Sequence, residues 1–149
     1  MRVVAYNIQE FEKQTLAKAN AKVHDLTLIS NPLNLATIRY AVGKEVVIVS
    51  ANDKLDKEML QALSAIGVKK IITRSVSLNH IDVSFANKLG LHVANTPAED
   101  DSPKNIAIQT IDNLNNWLDG QCFLGTCQCK IDSSVDKRKL HTKRKEYER

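Results

Sequence analysis

The sequence predicts an α/β fold built on one parallel, doubly wound sheet. Three observations carry that expectation: short β-branched runs recur through the first 97 residues, helix-period segments lie between them, and glycines stand where those segments stop. Residues 2–6 (RVVAY) form the first strand, and the polar stretch that follows places Ile8, Phe11, Leu16 and Ala19 at helical spacing. Residues 25–30 (DLTLIS) alternate as a second strand and end at Asn31-Pro32, a turn pair whose proline cannot donate to a ladder. Residues 33–42 have helix-like spacing and stop at Gly43, and residues 45–50 (EVVIVS) are the continuous apolar run of a strand buried on both faces.

Residues 55–66 are an amphipathic helix closed by Gly67. The fourth strand spans residues 69–73, a helix follows over 80–89 and ends at Gly90, and residues 91–94 are the fifth strand. Asn79 is placed as the N-cap of that helix, with Asp82 completing a capping box. Five strands alternating with four helices fit a flavodoxin-like arrangement, in which ligands gather at the C-terminal ends of the strands.

Beyond Pro97 the composition changes. Residues 98–120 read as a polar linker and one amphipathic helix, with Ser102 as N-cap, Pro103 as first helical residue, and Ile106, Ile111, Leu114 and Leu118 on one face. Residues 121–149 show neither strand nor helix period, and the last 13 hold 7 Lys or Arg, so a disordered basic tail is expected. Cys122, Cys127 and Cys129 have no standard zinc spacing, even with His141 added, and free thiols are expected rather than a metal site.

Charge narrows the function. Residues 1–129 carry 13 basic and 13 acidic side chains, while residues 130–149 carry 8 and 4, so the net +4 comes wholly from the tail. A neutral folded body argues against specific nucleic-acid binding, which needs a basic face. The longest apolar run, Val46 to Val49, is too short to span a bilayer, and the N-terminus lacks a secretory pattern. A cytoplasmic protein without membrane attachment is expected.

The segment TRSVSLNHIDVSFANKLGLHVANTP resembles the signature of the D-isomer-specific 2-hydroxyacid dehydrogenases, most of all the D-lactate dehydrogenase branch. Thr73, Arg74, Ile81, Asp82, Ala86, Gly90, Val93, Asn95 and Pro97 carry the match, which extends upstream over residues 1–97. The resemblance implies the substrate domain of an NAD-dependent enzyme whose second domain binds the cofactor and supplies a catalytic Arg, Glu and His. No G-x-G-x-x-G spacing is found among the glycines at 43, 67, 90, 120 and 125, so no NAD site and no catalytic residue is assigned to this chain. His24, His80, His92 and His141 match no position of the family base.

What the resemblance does transfer is the loop after the fourth strand. There Ser75, Val76 and Ser77 occupy the positions whose backbone N–H groups hold the substrate carboxylate, an anion nest that needs no charged side chain. Ser77 stands where the family has Gly, a difference that matters if the position requires φ > 0. The helix after Ser102 resembles either the family's crossover helix or its last helix. The polar positions Asp112, Asn113, Asn115 and Asn116 favour the last helix, which returns to the substrate domain. The expectation is a truncated dehydrogenase, inactive alone, with a small 2-hydroxy or 2-oxo acid as ligand. The alternative is a non-catalytic binding module that pairs with a full-length relative.

Overall fold

A computed structural model of the chain describes residues 1–97 and 102–118. The five strands are β1 (Arg2–Ala5), β2 (Asp25–Leu28), β3 (Val46–Val49), β4 (Lys70–Thr73) and β5 (His92–Ala94). They form one wholly parallel sheet in the order β2-β1-β3-β4-β5, the doubly wound order expected from the strand–helix rhythm. The helices are α1 (Glu10–Asn20), α2 (Lys57–Ala65), α3 (Val83–Lys88) and α4 (Pro103–Leu118), with a short 3-10 helix at Ile38–Ala41.

Alternation along each strand divides the core into two layers. Val4, Val47, Val49, Ile71 and Val93 face one way and pack with Met59, Leu60 and Leu63 of α2 and Ala86 of α3. Val3, Ala5, Val46, Ile48, Ile72 and Ala94 face the other way, under Leu16 of α1 and Ala107, Ile111, Leu114 and Trp117 of α4. All four residues of β3 are fully buried, which is why that strand reads as an unbroken apolar run. Helix α4 packs along α1 and reaches β4, so it completes the second layer.

Several local expectations need correction. The helical pattern over residues 33–42 yields only the 3-10 turn at Ile38–Ala41. Asn34 and Thr37 explain this: the Asn34 Oδ1 accepts from the Ala36 and Thr37 amides, and the Thr37 hydroxyl donates to the Pro32 carbonyl, so side chains take the bonds a helix would use. Phe11 does not join the buried face of α1 but is 63% exposed, whereas Leu16 is buried. The cap of α3 is Asp82, not Asn79: its Oδ1 accepts from the Phe85 amide at 3.1 Å, and the helix begins at Val83. His80 is therefore in the preceding loop rather than at the start of the helix.

Other punctuation stands as read. Gly43, Gly67 and Gly90 all adopt positive φ after the segments they close. The Ser102 hydroxyl accepts from the Asn105 amide at 3.2 Å, capping α4. The cysteines and the basic tail, residues 121–149, lie outside the described residues.

Candidate carboxylate-binding loop

Strand β4 hands the chain to the site through Thr73 and Arg74. The Arg74 amide donates to the Val49 carbonyl at 2.8 Å, extending the ladder past the formal strand end. Its guanidinium turns toward the end of β1 and the first turn of α1. There Nε and Nη2 meet Glu12 at 2.6 and 3.2 Å, and Nη1 and Nη2 donate to the Tyr6 and Asn7 carbonyls at 3.1 Å. Glu12 also accepts from the Gln9 amide at 2.9 Å, so one carboxylate caps α1 and ties it to β4.

The chain then bends through Ser75, Val76 and Ser77. All three carbonyls are bound by the protein. Ser75 O accepts from the Thr96 amide at 3.1 Å, Val76 O from Asn95 Nδ2 at 2.9 Å, and Ser77 O from the Ser75 hydroxyl at 2.9 Å. A trans peptide puts its N–H opposite its C=O, so the bound carbonyls of Ser75 and Val76 turn the Val76 and Ser77 amides outward. Among the described residues, the amides of Ser75, Val76 and Ser77 have no acceptor. Donors aimed at solvent from a strand end are the arrangement that binds an anion.

Ser77 adopts its place without strain, because the positive-φ residues other than glycine are Asn7, Ala21 and Lys22 among the described residues. The serine at the family's glycine position leaves the loop intact. Its Oγ accepts from the Asn79 amide at 3.1 Å, which leaves its own proton to donate.

Residues around the loop fix it from three sides, and the signature match gave no roles for them. Asn95 and Thr96 follow β5, and the Asn95 carbonyl is in turn held by Asn113 Nδ2 of α4 at 3.0 Å. Leu55 pairs with Ile81 in an isolated parallel bridge, through the Leu55 amide to the His80 carbonyl at 2.8 Å and the Asp82 amide to the Leu55 carbonyl at 3.0 Å. His80 Nε2 lies 2.9 Å from Thr73 Oγ1, and burial holds the ring's pKa below its ordinary value against the opposing pull of Asp53.

A separate cavity of about 230 Å³ opens where the strand order reverses, between the ends of β1 and β3. Its lining is mixed, with Asn7, Glu12, Ser50 and Arg74 beside Phe11 and Ile106. Beneath it Asp53 is buried and accepts from the Ser50 and Leu33 amides at 2.9 and 3.0 Å. Tyr6 donates to the Thr37 carbonyl at 2.8 Å, and burial with the nearby Asp53 charge pushes its pKa up to about 12.

Of the remaining histidines, His24 is buried with Nε2 2.7 Å from Asn115 Oδ1, and His92 sits 6.3 Å from the Trp117 ring. Both lie at the end of the sheet opposite the loop. His141 lies outside the described residues. Among the described residues, the glycines follow helical segments and form no strand-to-helix phosphate cradle.

The doubly wound parallel sheet, with the turn at Ser75 to Ser77 after β4, defines the class of fold. The sequence matches the D-isomer specific 2-hydroxyacid dehydrogenase catalytic domain over residues 3–127, and the chain belongs to that family. It is 33% identical over 112 residues to a 2-hydroxyacid dehydrogenase homolog of Haemophilus influenzae, covering 74% of this chain and 33% of the relative. The apo-structure of D-lactate dehydrogenase from Escherichia coli superposes with a TM-score of 0.64 at 31% identity, over 67% of this chain and 32% of that one. D-lactate dehydrogenase from Aquifex aeolicus, solved with NAD and lactic acid, gives a TM-score of 0.58 at 25% identity, over 66% of this chain and 29% of that one. The chain thus spans about a third of the length of the relatives it matches.

Proposed function

We propose that this chain is the substrate-holding part of a D-2-hydroxyacid dehydrogenase of the D-lactate type, gripping a small 2-hydroxy or 2-oxo acid by the amides of Ser75, Val76 and Ser77. The observation that carries this reading is that the amides of Ser75, Val76 and Ser77 have no acceptor among the described residues, those of Val76 and Ser77 being turned outward by the bound carbonyls of Ser75 and Val76. Backbone donors fixed in advance bind a carboxylate without reorganising, and they suit lactate and pyruvate equally.

Hydride transfer needs a nicotinamide, an acid/base and a cation on the carbonyl. None of the described residues of the loop fills those roles: Arg74 is committed to Glu12 and two carbonyls. Catalysis therefore requires a cofactor domain, and residues 1–149 alone are expected to give no turnover. Calorimetry with pyruvate and with D-lactate should show weak, saturable heat. An NADH-linked assay of the same sample with pyruvate should stay at background. No heat with either acid overturns the binding role, and activity that tracks the protein through purification overturns the inactivity.

A second reading, a module that pairs with a full-length relative, draws support from apolar exposure near the site. Val76 is 60% exposed at the tip of the loop, and Phe11 is 63% exposed where it lines the cavity. Sedimentation of the chain mixed with a purified full-length family member tests it, and two independent boundaries would exclude the pairing.

A further inference from the structure

The loop's third carbonyl is held differently from the other two. Ser75 O and Val76 O are bound by groups from the end of β5, but among the described residues Ser77 O has the Ser75 hydroxyl alone. A hydroxyl has one proton to give. If Ser75 donates to Ser77 O, its contact with Thr73 Oγ1 at 2.7 Å must be an acceptance, which spends the Thr73 proton. Thr73 Oγ1 is then an acceptor toward His80 Nε2 at 2.9 Å, so Nε2 must carry a proton.

We infer that His80 is a positioning residue for the carboxylate loop, fixed as the Nε2–H tautomer at the head of a one-way chain: His80 Nε2–H to Thr73, Thr73 to Ser75, Ser75 to Ser77 O. This inference rests on the carboxylate-binding reading of the loop. With the proton on Nδ1 instead, Nε2 would take the Thr73 proton, Thr73 would take that of Ser75, and Ser77 O would lose its donor. The peptide between Ser77 and Leu78 would then be free to rotate and turn a carbonyl toward a bound carboxylate. The ring's place supports the assignment. Its own backbone carbonyl is bound by the Leu55 amide, and Thr73 is fully buried, so neither end of the first link can drift.

Nitrogen-15 NMR of the full chain at a pH where His80 is neutral reads the tautomer directly, and Nε2 should appear protonated and Nδ1 bare. Pyruvate titration followed at the amides of Ser75, Val76 and Ser77 then tests the role. His80→Gln, whose Nε2 donates from the same place, should bind within about twofold of the native protein. His80→Phe and Thr73→Val should each weaken binding about fivefold, the loss expected for one neutral hydrogen bond. An Nδ1–H pattern overturns the chain, as does a Gln variant that falls as far as the Phe variant. If pyruvate moves no loop amide in the native protein while Nε2 is protonated, the carboxylate reading fails and the positioning role fails with it, leaving the hydrogen-bond chain itself standing.

Discussion

Arg74 shows how a residue of the family signature acts as structure beside the loop that follows β4. Its side chain is 3% exposed and that of Glu12 is 15%, so the pair is nearly dry, and the guanidinium also holds two backbone carbonyls. Such a pair contributes little net stability compared with an apolar replacement of both partners, but removing one partner strands the other. Arg74→Leu is expected to lower unfolding stability by about 3–5 kcal/mol, a large part of what a domain of this size has, as measured by urea denaturation. His80 gives a pH dependence with a definite sign. Its pKa in the folded protein lies below the ordinary 6.5, chiefly through burial. Above that ordinary value nothing is lost. As pH falls through it, the unfolded chain takes up a proton that the folded chain resists, and stability declines until the lowered pKa is passed. Urea midpoints measured at pH 7.5 and pH 5 should therefore differ less in His80→Gln than in the native protein; an equal or larger fall in the variant would exclude His80 as a source.

At the scale of elements, the sequence was legible where packing and punctuation agree. The run VVIV specifies a strand buried on both faces, and Gly67 and Gly90 end α2 and α3 with positive φ. It was less legible where side chains compete for backbone bonds, as Asn34 and Thr37 do in the segment that became a 3-10 turn. The cap of α3 was misplaced for a related reason: Asn79 and Asp82 are both good cap types, and only the Leu55–Ile81 bridge, a contact distant in sequence, delays the helix to Val83. Signature positions pointed to Ser75 to Ser77, which form the turn after β4. The roles of Asn95, Thr96 and Asn113 were hidden because they act across the sheet. One element carries strain that a substitution can relieve. Ala21 and Lys22 both adopt left-handed φ, at 49° and 62°, where α1 turns toward β2. An L-residue there costs about 1–2 kcal/mol, partly offset in a glycine by greater freedom of the unfolded chain. Ala21→Gly should raise stability by up to about 1 kcal/mol, seen as a higher urea midpoint with an unchanged slope.

For the whole molecule, the decisive question is what covers the second face of the sheet. Val3, Ala5, Val46, Ile48 and Ile72 are fully buried, and the helices over them are α1 and α4. Helix α1 brings Leu16 as its fully buried apolar residue, whereas α4 brings Ala107, Ile111, Leu114 and Trp117. Burying Ile111, Leu114 and Trp117 is worth roughly 5–9 kcal/mol by area, comparable to the total stability of about 5–15 kcal/mol typical of a domain. The same helix reaches the site, since Asn113 binds the carbonyl of Asn95 and Asn95 binds that of Val76. A chain ended after residue 101 should therefore lose cooperative unfolding, exposing three strands and freeing the loop together. The graded version is Leu114→Ala, a fully buried side chain whose truncation is expected to cost about 2–5 kcal/mol while leaving the fold in place. Tryptophan fluorescence against urea follows Leu114→Ala, because Trp117 lies in α4 beside His92 and Lys70, and circular dichroism follows the shortened chain, from which the single tryptophan is removed. A shortened chain that still unfolds cooperatively by circular dichroism would mean that α1 alone covers the sheet.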